Sequence, residues 1–434
     1  MPIFLFPTVF AIFAFSKVAQ ALPPSSPHGF TSSPDLDSSI HVLPSFEESL
    51  EDTWSIKQTR IAGNALDGPV AFASIYIKYG VPVPEDTEAA AARHRKRGLL
   101  DATFLDTSNR IFLVSVDIGL PKNKFELIFD TASAGVWVFS EKSANPLWQR
   151  PYLPETSLSA EKLEGYSWEV ENRKGKKASG DVYLDFLSFS TNRRTVICRS
   201  QAIQVANSAS GFSRMEGVSG VLGLSFTSYS PIKPNPQPSL LANMMEGLNR
   251  KLFTLDMRHL STGSIDFGYI NSTLYTGPIG YADVVNEKGY WNFTIEGLIS
   301  DFSTLTGDSS EFVVADTASS LILLPWRYVF AYYYQVNGAQ YSHKNGGFIV
   351  PCDSQMPNFT FQVDGVYLAI PGAYLKLPEL PDESNICFGG LQSSDGLGIN
   401  VFGNIAFESS FVVFDPINGQ IGWAMKDLSA EGLK

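Results

Sequence analysis

Two copies of the tetrapeptide Asp-Thr-Ala-Ser stand far apart in the 434-residue chain, and each follows an apolar run, at residues 125–133 and 311–319. A strand that ends in a tight turn of this kind would present one aspartate at its end, Asp130 in the first copy and Asp316 in the second. Two carboxyl groups held close together in a cleft cannot both ionise easily, so they share a proton. Such a pair can activate a water as general base and general acid, without a metal or a covalent intermediate.

A second landmark follows each copy at a similar separation. It consists of two apolar residues and a glycine, Gly223 in the first half and Gly403 in the second. Two matched signals in the same order indicate an internal repeat, which can define a whole architecture. The sequence therefore predicts two β lobes, each carrying one aspartate, that face each other across a cleft.

Other catalytic chemistries have few candidate residues. Histidine is needed for most nucleophilic mechanisms, and neither of the two histidines outside the first 97 residues adjoins a nucleophile motif. No His/Cys cluster has the spacing of a zinc site, and no glycine-rich loop suits a phosphate. We therefore expect no metal and no cofactor. The five histidines are His28, His41, His94, His259 and His343.

The composition favours strands over helices. Hydrophobic residues make up 44% and aromatic residues 13% of the chain, and 35 glycines and 26 prolines separate many short β-branched and aromatic runs. The formal net charge of −12 argues against a nucleic-acid partner, which would require a basic face. The fold class predicted from composition is mostly β.

The N-terminal residues predict entry into the secretory pathway. An apolar run at residues 3–15 is followed by Ala19-Gln20-Ala21, so residues 1–21 are predicted to be a signal peptide. The alternative is a membrane anchor, but the run is shorter than the roughly 20 residues needed to span a bilayer. We expect no membrane association after signal removal and a secreted or vacuolar protein. Sequons that fit this route begin at Asn271, Asn292 and Asn358.

Residues 22–97 are predicted to be a propeptide that ends in a basic cluster, residues 93–97. A Lys-Arg pair in an exposed loop is the substrate of kexin-type processing enzymes, so cleavage after Arg97 would leave Gly98 as the new N-terminus. The alternative interpretation of the cluster is a solvated charge run.

The chain resembles the pepsin family, and within it the fungal secreted aspartic proteinases of the penicillopepsin and aspergillopepsin kind. Residues 129–140 resemble the first active-site segment, residues 315–321 the second, and residues 290–294 the strand that precedes the second aspartate. The resemblance implies a bilobal, pepsin-like acid protease fold with pseudo-twofold-related lobes at 98–284 and 285–434. It also implies that Asp130 and Asp316 are catalytic.

The resemblance assigns further roles to individual residues. Thr131 and Thr317 would knit the two active-site loops together, and Ser133 and Ser319 would donate hydrogen bonds to the carboxylates. Lys78, in the segment Lys78-Tyr79-Gly80, would lie in the cleft of the precursor, pair with both aspartates and keep the precursor inactive. The family's disulfide in the second lobe would be Cys352 with Cys387, which leaves Cys198 as a buried free thiol.

The sequence departs from the family pattern at several positions. Ala132 and Ala318 replace the glycines of the family's Asp-Thr-Gly, and the added methyl groups could narrow the cleft. Asn172 stands where the family's flap has a tyrosine that covers substrate and bonds a tryptophan, here Trp137. Asn404 follows Gly403 where aspartate is common, which removes a negative charge near the pair.

Together these features predict a monomeric aspartic endopeptidase that hydrolyses peptide or protein substrates at acidic pH. One alternative keeps the fold without the chemistry, as a pseudopeptidase or binding protein. Another applies the aspartate pair to a small molecule, for example in secondary metabolism. Retention of both aspartates, both threonines and Lys78 favours chemistry of some kind.

Overall fold

The computed structural model describes residues 53–60, 66–98, 111–144, 147–171, 177–191, 195–209, 217–259, 261–285, 289–300, 303–304 and 310–429. The predicted signal peptide, residues 1–21, and residues 22–52 of the predicted propeptide lie outside these ranges. Strands hold 46% of the described residues and helices 16%, which confirms the mostly-β prediction.

The N-terminal segment contributes one strand and two helices, β1 (Trp54–Arg60), α1 (Gly68–Lys78) and α2 (Glu85–Gly98). Helix α1 begins at a side-chain cap, because the Asp67 carboxylate accepts a hydrogen bond from the Val70 N–H. Most residues of α1 are buried, as expected of a helix that is apolar nearly all round. Lys78 is its last residue.

In the described residues of the first half there are ten further strands and one further helix. They are β2 (Phe112–Ile118), β3 (Asn123–Asp130), β4 (Val136–Phe139), β5 (Glu161–Glu171), β6 (Lys177–Ser190), β7 (Thr195–Ala209), β8 (Gly220–Gly223), β9 (Ile232–Lys233), α3 (Leu240–Glu246), β10 (Phe253–Asp256) and β11 (Gly263–Phe267).

The part of the second half that the structure describes adds fifteen strands and two helices. They are β12 (Thr276–Asp283), β13 (Asn292–Ser300), β14 (Ser303–Thr304), β15 (Glu311–Ala315), β16 (Ile322–Leu324), α4 (Trp326–Tyr333), β17 (Gln340–Ser342), β18 (Gly347–Pro351), β19 (Phe359–Val363), β20 (Val366–Ile370), β21 (Lys376–Glu379), β22 (Ile386–Gly389), β23 (Leu391–Ser393), β24 (Asn400–Phe402), α5 (Asn404–Ser409), β25 (Ser410–Asp415) and β26 (Gln420–Met425).

The strands form three sheets. One sheet has the strand order β12-β26-β25-β10-β11-β1-β2-β3-β8-β4-β7-β6-β5-β9, so β1 of the N-terminal segment lies between β11 and β2, and the last two strands return to the first half. The second half has an eight-stranded sheet that contains β15, β16 and β24, and a four-stranded sheet of β17, β18, β22 and β21. This arrangement agrees with the predicted bilobal fold.

The internal repeat is visible in the strand pairing. In the first half β3 runs parallel to β8, β4 runs antiparallel to β8, and β4 also pairs in parallel with β7. In the second half β15 runs parallel to β24, β16 runs antiparallel to β24, and β16 pairs in parallel with β23. Each half therefore places its Asp-Thr-Ala-Ser loop between two strands that flank the strand of the second landmark.

The glycine of each landmark is required by the close approach of that loop. A Cβ atom on Gly223 would lie 2.4 Å from the Ser133 carbonyl oxygen, and one on Gly403 would lie 2.5 Å from the Ser319 carbonyl oxygen. These oxygens belong to backbone that cannot move aside without displacing the loop. The two glycines that the sequence spacing identified thus allow the two Asp-Thr-Ala-Ser loops to pack closely against their sheets.

Candidate active site

Asp130 is the last residue of β3, and Asp316 directly follows β15. Both residues are fully buried, and both carboxylates accept hydrogen bonds from their own loops. Asp130 accepts bonds from the Ala132 N–H at 2.8 Å and the Ser133 hydroxyl at 2.5 Å. Asp316 has the equivalent donors, the N–H of Ala318 at 3.0 Å and the hydroxyl of Ser319 at 2.6 Å.

The two loops are joined by the threonines that follow the aspartates. The Thr131 hydroxyl donates to the Ala315 carbonyl at 2.7 Å and accepts from the Thr317 N–H at 3.2 Å. The Thr317 hydroxyl donates to the Phe129 carbonyl at 2.9 Å and accepts from the Thr131 N–H at 3.0 Å. Each threonine therefore reaches into the opposite half of the repeat. Both threonines are buried, as are Phe129 and Ala315, whose carbonyl groups accept their hydrogen bonds.

We expect Thr131→Val to lower the free energy of unfolding by about 1–3 kcal/mol, because it keeps the side chain's shape but leaves buried polar groups of Thr317 and Ala315 without their partner. Urea titration of the mature protein measures this loss. A matched control is Thr254→Val, since Thr254 is equally buried but its hydroxyl has no hydrogen-bond partner among the described residues. Equal losses in the two variants would contradict the role of the threonine pair.

Lys78 of the N-terminal segment lies between the two aspartates. Its Nζ is 2.9 Å from Oδ1 of Asp130 and 2.7 Å from Oδ1 of Asp316. The adjacent Tyr79 donates its hydroxyl to Oδ2 of Asp316 at 2.9 Å, and its ring packs edge-on against Tyr290 at 5.5 Å. The structure therefore brings Lys78 to the position that the resemblance implies and adds Tyr79, which the sequence analysis did not single out. In the sequence, its position next to Lys78 was the signal that could have identified Tyr79 as a site residue.

Burial and charge act in opposite directions on Lys78. Burial lowers the pKa of its ammonium, but the carboxylates of Asp130 and Asp316 outweigh burial, and the pKa ends above its usual value. Burial raises the pKa of the Tyr79 hydroxyl well above its ordinary value, and the negative charge of Asp316 raises it further. Both side chains therefore keep their protons and can donate to the carboxylates.

Helix α2 attaches the N-terminal segment to the second half. His94 is buried, with Nδ1 2.9 Å from Asp67 and Nε2 3.5 Å from Asp382. Arg93 donates to the Lys344 carbonyl at 2.5 Å. The interpretation of residues 93–97 as a solvated charge run is therefore wrong for the buried His94.

The expected processing loop is not a loop, because α2 continues to Gly98 and includes Lys96 and Arg97 in its last turn. The cause is local. Residues 89–92 are four alanines, the best helix formers, and acidic residues occupy the first turn of the helix. Cleavage after Arg97 would require the end of α2 to unwind.

The two alanines occupy the loops without strain. Neither Ala132 nor Ala318 has a positive φ, so the backbone at these positions does not require glycine. Ala132 lines the cleft and is 8% exposed, whereas Ala318 is 2% exposed. Of the two added methyl groups, the one on Ala132 is therefore the one beside the cavity.

The flap prediction can be followed only in part. Strands β5 and β6 form a hairpin, but Asn172 at its tip lies outside the described residues. Trp137 lines the cleft, and its ring centroid is 6.1 Å from that of Trp168 on β5. Asn404 begins α5, is fully buried and donates its N–H to the Ser319 carbonyl at 2.7 Å.

The remaining predicted residues lie away from the aspartates. Cys352 and Cys387 form a disulfide, and Cys198 is a buried free thiol. The sequon asparagines are partly exposed, and their glycosylation stays a prediction; they are Asn271, Asn292 and Asn358.

Within the described ranges, no helix combines the length and apolarity needed to cross a membrane. The same residues contain no group of three or more His, Cys, Asp or Glu side chains that could hold a metal ion.

Comparisons with known proteins agree with this geometry. Residues 111–426 match the family model of the eukaryotic aspartyl proteases. The chain is 35% identical over 371 residues to endothiapepsin of Cryphonectria parasitica, which covers 83% of this chain and 87% of that protein. It is also 35% identical over 380 residues to penicillopepsin-2 of Penicillium janthinellum, which covers 87% of this chain and 93% of that protein.

The fold has a match among solved structures. The crystal structure of an aspartic proteinase from Irpex lacteus aligns with a TM-score of 0.59 at 20% identity and covers 73% of this chain and 94% of that one. With the family model matched over most of the chain, and with fungal relatives 35% identical across most of their length, the chain belongs to the eukaryotic aspartyl proteases, the pepsin-like aspartic endopeptidases.

Proposed function

We propose that this chain is the precursor of an acid endopeptidase in which Asp130 and Asp316 together activate the hydrolytic water. The observation that carries the proposal is the position of the Lys78 ammonium, within hydrogen-bond distance of one oxygen of each buried carboxylate. An ammonium nitrogen and a water oxygen are similar in size and both are tetrahedral. A water can therefore occupy this position once the N-terminal segment leaves.

The chemistry follows from two carboxyl groups that share one proton. The ionised carboxylate takes a proton from the water as its oxygen attacks the peptide carbonyl, and the protonated carboxyl donates to the carbonyl oxygen. A proton is then transferred to the amide nitrogen, the C–N bond breaks, and the pair returns to its singly protonated state. The loop donors Ser133 and Ser319 orient the carboxylates, and the threonine cross-links fix the distance between the loops.

The substrate class follows from the cleft. A cavity of about 360 Å³ remains open beside Asp130, and its lining combines aromatic and aliphatic residues with residues 132–135 of the loop that follows Asp130. Extended peptides present alternating side chains and backbone groups to such a surface. We infer peptide or protein substrates that are cleaved between apolar or aromatic residues.

The precursor organisation is part of the proposal. Residues 1–21 would direct the chain to the secretory pathway and to an extracellular or vacuolar destination, and residues 22–97 would form the propeptide. Its latency is supported by the contacts of Lys78 and Tyr79 with the aspartates, and by the contacts of α2 with the second half through His94 to Asp382 and Arg93 to the Lys344 carbonyl. The mature lobes would be residues 98–284 and 285–434.

Acidification of the purified precursor tests the proposal. We expect it to yield a shorter protein whose N-terminal sequence begins at Gly98, and this protein should digest denatured haemoglobin at acidic pH in a reaction that pepstatin abolishes. Digestion that pepstatin does not affect would contradict the aspartate pair. A folded, processed protein that digests nothing between pH 2 and 6 would instead indicate a pseudopeptidase or a small-molecule enzyme.

A further inference from the structure

Gln204 lines the open cavity beside Asp130. The same lining includes the apolar side chains of Trp137, Trp168, Val170, Ala134 and Val221 and polar side chains such as Ser133 and Ser225. Gln204 is on β7, where the parallel pairing with β4 sets it opposite Trp137. Its side chain therefore stands in the first half of the protein, on the same side of the cleft as the first aspartate.

The carboxamide oxygen of Gln204 is buried without a hydrogen bond among the described residues. The residue is 1% exposed, and its Oε1 has no hydrogen-bond partner within the part of the chain that the structure describes. A buried carbonyl oxygen left in this state destabilises the folded protein. Such groups are uncommon in folded proteins, and one that lines a substrate cleft has a direct explanation if the substrate supplies the missing donor.

Gly135 provides the space in which this carboxamide lies. A Cβ atom at Gly135 would be 1.7 Å from Oε1 of Gln204 and 2.7 Å from its Cδ. Gly135 belongs to the loop that follows Asp130 and also lines the cavity. The glycine and the glutamine therefore form a matched pair, in which the missing side chain of one admits the polar end of the other.

We propose that Gln204 is a specificity-determining residue whose carboxamide accepts a hydrogen bond from a tyrosine side chain of the substrate. The two tryptophans would pack against the tyrosine ring, and Oε1 would accept its hydroxyl proton. Phenylalanine would fill the same space but leave Oε1 unsatisfied, and buried polar groups discriminate strongly against ligands that cannot pair with them. This inference rests on the proposed peptidase function.

The test compares peptides that are identical except for tyrosine or phenylalanine, placed in turn at each of the three positions on either side of the cleaved bond. The mature enzyme is expected to prefer tyrosine by about tenfold or more in kcat/KM at one position, as one buried hydrogen bond allows. In Gln204→Met, which keeps an unbranched side chain of similar length, the ratio should fall to about 1. Gly135→Ala should lower the same ratio, because its methyl group displaces Oε1.

Gln201→Met is the matched control, since Gln201 is an equally buried glutamine of β7 that bonds Asn243 and does not line the cavity. It should keep the tyrosine preference. If the tyrosine-to-phenylalanine ratio of kcat/KM in Gln204→Met equals that of the unmodified enzyme, the inference is overturned. The same holds if Gln204→Met lowers kcat/KM equally for both peptides, which would mean that a main-chain N–H of the substrate is the donor. The dissociation constants of the same peptides, measured with the Asp130→Asn variant, give the preference for tyrosine over phenylalanine without hydrolysis. If the unmodified enzyme hydrolyses no peptide, the proposed function fails, and this failure is distinct from loss of the tyrosine preference in binding.

Discussion

Replacing Lys78 by methionine is expected to open the precursor, so that pepstatin binds the uncleaved chain at pH 5 between about 10² and 10⁴ times more tightly than it binds the unmodified precursor. The reason is the loss of a buried ion pair. Removal of one partner from such a pair costs about 3–5 kcal/mol, and each 1.4 kcal/mol corresponds to a factor of ten in the population of the open form. The Lys78 side chain is 10% exposed and those of the two aspartates 1% or less.

Titration calorimetry or inhibitor-displacement measurements on the precursor give this affinity directly, because the apparent affinity scales with the fraction of molecules whose cleft is open. The control is Lys57→Met, the same change at an exposed lysine on β1 of the same segment. An equal gain in affinity in both variants, or none in Lys78→Met, would show that the ion pair does not hold the cleft closed.

The pH dependence of opening follows from the sign of the Lys78 shift. A base whose pKa is raised in the folded protein contributes stability that is complete below its ordinary pKa and is lost only as the pH rises through the raised value. The pKa of Lys78 is raised, so acidification leaves its charge intact. Loss of the Lys78 charge therefore cannot be what opens the precursor in acid. Because Lys78→Met already removes the ion pair that holds the cleft closed, it should remove most of the acid dependence of pepstatin binding.

The repeat in the sequence predicted the most about this fold. An apolar strand that ends in Asp-Thr-Ala-Ser, followed by a glycine landmark, predicted two equivalent lobes, and the parallel pairing of β3 with β8 and of β15 with β24 is that equivalence in structural form. Gly223 and Gly403 could be found because their requirement is backbone geometry, which the sequence marks by glycine itself.

Other features were not accessible from the sequence because they depend on contacts between distant segments. The hydroxyl of Tyr79 reaches Asp316 only because α1 ends inside the cleft. The carboxamide oxygen of Gln204, which has no hydrogen-bond partner among the described residues, is recognisable only from its surroundings, since glutamine on a strand has no special pattern. The basic cluster suggested a loop because of its charge, but local helix propensity prevailed over that signal at Arg97.

Among the departures from the family pattern, the structure clarifies the replacement of two glycines by Ala132 and Ala318. A glycine can be essential because of its backbone conformation or because of the space it leaves, and sequence cannot distinguish the two. At Ala132 and Ala318 the φ angles suit any residue, so only space is at issue, and only Ala132 faces the cavity. The loop hydrogen bonds to both aspartates are intact with alanine in place.

Asp130→Asn and Asp316→Asn are each expected to lower kcat/KM of the mature enzyme by at least about 10³-fold, toward the upper end of the range for acid–base catalysis. Asparagine keeps the size of the side chain and an oxygen that can accept the Ala132 or Ala318 N–H. It cannot take a proton from water, and it cannot share one with the remaining carboxyl. Steady-state hydrolysis of a single peptide at several acidic pH values measures the loss.

The double variant separates a cooperating pair from two independent carboxylates. Residues that act as one unit lose nearly all of their effect at the first substitution, so Asp130→Asn/Asp316→Asn should be about as slow as either single variant. Asp185→Asn is a suitable control, because Asp185 is a fully buried aspartate on the same sheet as Asp130 and its partners, Tyr152 and Ser159, remain in the mature protein, so that an amide there should leave kcat/KM within a few-fold. Losses that multiply in the double variant would mean that the two aspartates act separately, and the shared proton would then have no part in the mechanism.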